Sequence, residues 1–213
     1  MQSGDYFGKP VNSEPFDEPS VIVNVVEYFS NYLNVKKTDE IDKDKIILWA
    51  KFTQCDYNDP NFNSDNRNVV LLVGRRNGIQ IYQLKADDNL YLIFSLQLCI
   101  TYTATVLPTP MSNSDTFSEH RPLLVCSCDG QLRFFSIRTG KSIKNISIKD
   151  NILQIEATHK IIVASSHTQL LVLCPTRLEV ICNIINCVAE SEAYSSVAFA
   201  LSDQWLAFAD SHL

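Results

Sequence analysis

The sequence is poor in glycine, in basic charge and in long apolar runs, and each shortage excludes a class of function. Six glycines among 213 residues leave no glycine-rich loop of the kind that cradles nucleotide phosphates. No apolar run approaches the roughly 20 residues that cross a bilayer, so no transmembrane segment is predicted. A net charge of −6 and a pI near 5.2 argue against nucleic-acid binding, because nucleic-acid-binding domains are usually strongly basic.

The sequence also lacks the spacings that mark catalytic and metal sites. The histidines are scattered, and neither a Ser-His-Asp order nor paired acids on a strand stand out. Cys126 and Cys128 share one strand face, but a zinc site needs further ligands, and no CxxC motif or His pair is present. We therefore predict no enzyme activity, no cofactor and no metal site, and we interpret both cysteines as buried thiols.

The cysteines and the N-terminal residues indicate a reducing compartment. The seven cysteines are odd in number and mostly lie in apolar runs, which favours free thiols over a disulfide framework. Residues 1–19 are polar, are interrupted by Pro10, Pro15 and Pro19, and contain no apolar core segment. They are typical of a disordered tail rather than of a signal peptide. We therefore expect a cytoplasmic location.

A strand pattern is clearest in residues 121–149. The apolar run 123–128 ends at Asp129-Gly130, the kind of two-residue turn that hairpins prefer, because glycine accepts positive φ without steric penalty. Two further strands are predicted at 132–137 and 142–148. Both faces of the 132–137 strand are largely apolar, so a neighbouring sheet must cover each of them.

This unit of strands recurs along the chain. Further hairpin turns are predicted at Asn77-Gly78 and His167-Thr168, and a four-stranded repeat of about 40 to 45 residues is typical of a β-propeller blade. The predicted fold class is all-β: a partial, WD-repeat-like β-propeller of about three and a half four-stranded blades, with one N-terminal helix. The predicted boundaries are a disordered tail 1–19, a helix 20–34, blade one 46–98, blade two 100–149, blade three 152–187 and a partial blade four 196–213.

The predicted arc is too short to close. Propellers contain at least about four blades, and the fourth predicted blade stops after its second strand. We therefore expect the chain to be part of a longer protein, with closure by association as the alternative, because an isolated arc would expose unpaired edges.

The stretch 121–149 also concentrates positive charge: it contains six of the 18 lysines and arginines, against the single acid Asp129. One interpretation is a patch for an anionic partner, either a phosphoinositide headgroup or an acidic protein surface; the alternative is an outer strand kept soluble by lysines. Arg75 and Arg76 form a weaker candidate for phosphate contact, with exposed turn residues as the alternative. The predicted patch consists of Arg133, Arg138, Lys141, Lys144 and Lys149.

Several stretches together resemble the breast carcinoma amplified sequence 3 (Rudhira) family, from about residue 21 to the end. Besides the hairpin at 77–78, they are VVEYFSNYLNV (25–35), DKIILWAKF (44–52), RPLLVCSCDG (121–130), FSIRTGKSIKNISIK (135–149) and SDQWLAFADSHL (202–213). The resemblance implies an N-terminal WD-repeat propeller similar to the phosphoinositide-binding propellers of autophagy. It also implies a non-enzymatic scaffold that is recruited to the phagophore with a partner protein.

The phosphoinositide-binding site of the related propellers is not predicted in this chain. Those propellers carry Phe-Arg-Arg-Gly in a later blade, and this sequence has no such motif; Arg75-Arg76 lies in the first blade. The expected function is an autophagy scaffold that binds a partner protein and a phosphoinositide membrane at the phagophore. The alternative is a general protein-interaction propeller in cytoskeletal organisation, cell migration or transcriptional co-regulation, without a lipid role.

Overall fold

The computed structural model describes residues 8–10, 46–55, 69–84, 90–112, 114–185, 187 and 197–210. The predicted helix 20–34 lies outside these residues. Within them the chain forms four antiparallel sheets and a short 3-10 helix, Ser118–His120.

The four sheets follow one another along the chain, and their strands run in sequence order. The first contains β2 (Ile47–Gln54), β3 (Val69–Arg75), β4 (Gly78–Leu84) and β5 (Leu90–Gln97), with β1 (Gly8–Pro10) added beside β5. The second contains β6 (Thr101–Leu107), β7 (Leu123–Cys128), β8 (Gln131–Ser136) and β9 (Ser142–Ser147). The third contains β10 (Gln154–Ala157), β11 (Ile162–Ser165), β12 (Leu170–Cys174) and β13 (Glu179–Ile184). The fourth pairs β14 (Phe199–Leu201) with β15 (Leu206–Phe208). The predicted all-β fold class, built from four-stranded antiparallel blades, is confirmed.

Three residues of the predicted disordered tail form a strand. β1 pairs antiparallel with β5, so that Gly8 lies opposite Leu96 and Pro10 opposite Phe94. Without β1, β5 would be an edge strand with open backbone groups. The added strand pairs with three of the eight residues of β5, Phe94–Leu96. Pro10 is tolerated there because an outer strand does not need every N–H. The tail prediction is therefore corrected at Gly8–Pro10; the rest of 1–19 lies outside the described residues.

The hairpin between β7 and β8 has the predicted turn. Cys128 pairs with Gln131, which leaves Asp129 and Gly130 as the turn residues. Their φ angles are 49° and 65°, and a type I′ turn requires two positive values. The N–H of Ile148 donates to Gly130 O at 2.7 Å, which fastens the turn to the end of the outer strand.

The hairpin of the first blade turns one residue earlier than predicted. Arg75 pairs with Gly78, so the turn residues are Arg76 and Asn77 instead of Asn77 and Gly78. Gly78 begins β4 with a φ of 142°, where a side chain would collide with the backbone carbonyl of Leu96. Glycine is therefore needed at the strand start as well as near the turn.

The hydrophobic core lies between successive blades. Cys126 and Phe135 pack towards blade one, whereas Leu132 and Phe134 pack towards blade three. Every residue of β7 is buried, as expected for a strand covered on both faces. A third cluster, which includes Val197, lies between blades three and four.

Polar contacts tie the first strands of the blades together. Trp49 Nε1 donates to Thr101 O at 2.7 Å, and a side chain at Gly74 would overlap the Trp49 ring. Lys51 Nζ donates to Ile155 O at 3.1 Å and pairs with Glu156 Oε1 at 2.8 Å. β2 is therefore linked to both β6 and β10, which fixes the blades relative to one another.

The alternating strand directions divide the loops between two rims. The first rim carries the turns after β3, β7 and β11 and the crossovers from blade to blade. Contacts on it include Leu98 N–H to Asn77 O at 3.0 Å and Gln169 Nε2 to Asp150 Oδ2 at 2.9 Å. The second rim carries the connection 108–122, the turn after β10, and the turns after β8 and β12.

Candidate functional site

A buried ion pair anchors the connection 108–122 on the second rim. Arg121 Nε donates to Asp115 Oδ2 at 2.6 Å, and both side chains are 6% exposed. Arg121 Nη2 also donates to Pro175 O at 2.7 Å, and the N–H of Thr116 donates to Thr176 O at 3.2 Å. The connection is thus fastened to the β12–β13 turn of blade three.

Arg138 and Lys141 lie on the same rim as this anchor, at the two ends of the β8–β9 turn. Both residues are exposed. The turn is fixed by Gly140 N–H to Ser136 O at 2.8 Å and by Ser136 N–H to Lys141 O at 3.0 Å. Among the described residues, no carboxylate lies within ion-pair distance of either base. The turn therefore presents two bases on a rigid support.

Two other members of the predicted patch, Lys144 and Arg133, already contact other residues of the chain. Lys144 Nζ donates to Arg177 O at 3.0 Å and lies 3.7 Å from Glu179 Oε1, so it bridges blades two and three. Arg133 is buried on the face towards blade one, with Nη2 3.9 Å from Asp129 Oδ2. Neither base is presented freely to a partner.

The remaining candidates lie on the first rim. Lys149 is exposed after the end of β9. Arg75 is partly buried at the end of β3, and Arg76 is exposed in the adjacent turn. The structure therefore places Arg138 and Lys141 on one rim and Lys149, Arg75 and Arg76 on the other.

Strand length decides whether the two rims act as one charged surface. β8 contains six residues, and at about 3.3 Å per residue it separates the rims by roughly 20 Å. Exposed charges are screened over about 8 Å at physiological ionic strength. The predicted patch is thus divided into two electrostatically independent groups.

The first rim also holds a cluster that the sequence did not reveal. The sulfur atoms of Cys99 and Cys128 and a carboxylate oxygen of Asp129 lie within 4.8 Å of one another. Cys99 belongs to the crossover from blade one to blade two, and Cys128 ends β7. Cys126 lies beside Cys128 on the same buried face. We call Cys99, Cys126, Cys128 and Asp129 the thiol cluster.

The thiols of this cluster differ in how readily they ionise. Hydrogen bonding to Cys126, helped by Cys99 and opposed by burial, lowers the pKa of Cys128 to about 7. Contact with Cys128 and complete burial raise the pKa of Cys126, and burial raises the pKa of Cys99. Cys128 is therefore the thiol of the cluster that ionises most readily, with Cys126 and Cys99 as its hydrogen-bond partners.

One signal in the sequence could have indicated this cluster. Cys99 lies far from Cys128 along the chain, so no ligand spacing connects them. Both residues, however, occupy predicted connections or strand ends on the same rim: a blade crossover and a β7–β8 turn. The predicted strand order alone therefore indicates that Cys99 and Cys128 lie on the same rim, although no local motif connects them.

Comparison with known proteins identifies the family. The model of the family described as "BCAS3, WD40 repeat" matches residues 2–213. The chain belongs to this family. The resemblance predicted from the sequence is thus confirmed, as is the WD-repeat class of the fold.

The relatives of this BCAS3 WD40-repeat chain extend beyond it in length. A "Breast carcinoma-amplified sequence 3 homolog" of Drosophila melanogaster is 22% identical over 250 residues, which cover 87% of this chain and 22% of the relative. The chain therefore spans less than a quarter of that relative.

Solved structures share a general likeness with the chain. KlHsv2 with loop 6CD replaced by a Gly-Ser linker is 10% identical, with a TM-score of 0.44 over 67% of this chain and 41% of that one. BBS1N in complex with ARL6DN is 10% identical, with a TM-score of 0.45 over 78% of this chain and 50% of that one. The Pan2 WD40 domain of Neurospora crassa is 11% identical, with a TM-score of 0.39 over 57% of this chain and 34% of that one. Separately, none of the described segments forms a helix long and apolar enough to cross a membrane.

Proposed function

We propose that this chain is part of a non-enzymatic WD-repeat scaffold that acts in autophagy in the cytoplasm and is recruited to phagophore membranes. It binds a partner protein and contacts phosphoinositide headgroups through its second rim. Membership of the BCAS3 family supports the scaffold role. The observation that carries the lipid contact is the β8–β9 turn, where Arg138 and Lys141 are both exposed.

The turn geometry favours contact with a charged surface. Gly140 has a φ of 70°, and the N–H of Thr139 donates to Ser136 Oγ at 3.2 Å, so Arg138 and Lys141 project from a fixed backbone. Each base near an anionic membrane contributes about 1 kcal/mol. Two bases therefore contribute about 2 kcal/mol, which corresponds to about 30-fold in affinity. The two bases thus supply part of the free energy of membrane binding, and the partner protein supplies the remainder.

A planar membrane meets one rim at a time, which limits the residues involved. The rims are roughly 20 Å apart along six-residue strands. Lys149, Arg75 and Arg76 therefore do not contact the same membrane surface as Arg138 and Lys141. Lys144 and Arg133 are held between blades and are assigned to folding rather than to lipid contact.

Vesicle flotation with charge-reversal variants tests the proposal. The full chain is mixed with phosphatidylcholine vesicles that contain or lack phosphatidylinositol 3-phosphate. Arg138→Glu with Lys141→Glu should weaken binding to the phosphoinositide vesicles by at least about 30-fold. The matched control, Arg76→Glu with Lys149→Glu, reverses the same number of charges on the opposite rim and should bind like the unmodified chain.

Two results would overturn the lipid contact. The first is binding that ignores phosphatidylinositol 3-phosphate. The second is binding that survives reversal of both bases on the second rim. Either result would favour the alternative, a protein-interaction propeller in cytoskeletal organisation, cell migration or transcriptional co-regulation without a lipid role.

A further inference from the structure

We propose that Cys99, Cys128 and Asp129 form a binding site for one thiophilic divalent cation, with Zn²⁺ as the fitting ion. Their ligand atoms lie within 4.8 Å of one another. A tetrahedral zinc ion with Zn–S bonds of about 2.3 Å holds neighbouring ligand atoms about 3.8 Å apart. The three ligand atoms therefore need to approach one another by at most about 1 Å to reach that spacing.

The donor set selects the kind of ion. Two cysteine sulfurs and one carboxylate oxygen suit zinc, which binds thiolate and carboxylate ligands in the same site. Calcium and magnesium prefer all-oxygen ligands, so they are poor occupants. Asp129 is exposed, so solvent reaches the site from the first rim and water can take the fourth position.

Neighbouring groups balance the charge of such a site. Two thiolates and a carboxylate exceed the charge of a divalent cation by a single negative charge. Arg133, whose guanidinium lies 3.9 Å from Asp129, supplies the compensating positive charge on the buried face. A buried ion is tolerated when its surroundings neutralise it, and this arrangement meets that requirement.

The backbone holds the ligands in place before any ion binds. Cys128 and Asp129 are adjacent at a type I′ turn, and Ile148 N–H fastens that turn to β9 through Gly130 O at 2.7 Å. Cys126 touches Cys128 from a completely buried position. Cys126 would not bind the ion itself but would orient the Cys128 sulfur. Loss of such an outer partner typically weakens metal binding by about 10–100-fold.

Metal titration of the full chain tests the site. Zn²⁺ alone is titrated in competition with a chromophoric chelator, and Co²⁺ is used to observe thiolate-to-metal charge-transfer absorption. We expect one equivalent of tightly bound ion with that absorption. Cys99→Ser and Cys128→Ser should each weaken zinc binding by at least about 100-fold, since losing a ligand exceeds the effect of losing an outer partner.

Two further variants separate metal binding from folding. Asp129→Asn keeps a residue that tolerates positive φ, so the hairpin is preserved while a charged ligand is lost; zinc affinity should fall by at least about 10-fold. Cys182→Ser alters an exposed thiol on β13 and should bind zinc unchanged. Circular dichroism confirms that each variant is folded.

Any of four results would overturn the proposal. The first three are a chain that binds no zinc, a cobalt complex without thiolate absorption, and a folded Asp129→Asn or Cys99→Ser variant with unchanged affinity. Equal loss in Cys182→Ser would also overturn it, because the bound ion would then be held elsewhere.

Discussion

Replacing Arg121 with methionine removes the cation of the buried ion pair but keeps an apolar stem of similar length. Asp115 would remain buried and would retain the N–H of Phe117 at 3.2 Å. The carbonyl of Pro175 would lose its donor at 2.7 Å. We expect strong destabilisation, because an uncompensated carboxylate is left inside the connection 108–122.

Two estimates give the size of this effect. Breaking a buried ion pair by removing one partner lowers the free energy of unfolding by about 3–5 kcal/mol. Arg121 also makes two short charge-assisted bonds, to Asp115 at 2.6 Å and to Pro175 at 2.7 Å, and each contributes about 1.5–3 kcal/mol. Both estimates centre near 4 kcal/mol, a large share of the about 5–15 kcal/mol that stabilises a domain.

Equilibrium urea unfolding of the full chain measures the effect. Arg138→Met, an exposed arginine on the same rim, is the matched control and should change stability by at most about 0.5 kcal/mol. Asp115→Asn should also destabilise, and the double variant with Arg121→Met should lose less than the two single losses together. The difference should be at least about 1 kcal/mol, because the double variant leaves neither charge alone.

The reasoning would be refuted by a loss below about 1 kcal/mol in Arg121→Met. Strict additivity in the double variant would also refute it, because it would show that the two side chains do not interact. The connection would then be held by backbone contacts such as Thr116 N–H to Thr176 O.

Two further substitutions test the fold. Gly78→Ala should destabilise by about 1–3 kcal/mol in urea unfolding, because φ is 142° and the new methyl group meets the Leu96 carbonyl; an unchanged midpoint would contradict the close approach of β4 and β5 at this position. Phe134→Ala should lose about 3–5 kcal/mol, since Phe134 is fully buried between blades two and three. Ile181→Ala, at an exposed position of β13, should lose less than about 1 kcal/mol, and comparable losses in both would argue against a core between the blades.

Local patterns carried most of the fold prediction. The Asp129-Gly130 turn and its flanking strands were predicted correctly, because turn chemistry and strand alternation act within a few residues. For the first hairpin, the sequence predicts a turn one residue too late. Asn77-Gly78 matches the preferred turn dipeptide, but the close approach of Leu96 requires glycine at the start of β4. That requirement comes from the next strand, which no local pattern records.

Contacts between blades decide which of the predicted bases are exposed, and local sequence patterns do not predict these contacts. The predicted patch includes Arg133, although its alternation with Leu132 and Phe134 places it on the same face as Phe135, towards blade one. The patch also includes Lys144, whose hydrogen-bond partner Arg177 comes from blade three. Charge counted along a strand therefore overestimates the charge that a partner meets, because both faces of a blade are covered.

The two proposed sites lie on opposite rims, and this separation decides how their tests are interpreted. Asp129 and the bases Arg138 and Lys141 are at opposite ends of β8, roughly 20 Å apart for a six-residue strand. At physiological ionic strength, a charge change on one rim is screened before it reaches the other. A variant of the thiol cluster that loses vesicle binding would therefore be unfolded rather than informative about lipid. The same holds for a variant of the β8–β9 turn that loses zinc, so each site supplies the folding control for the other.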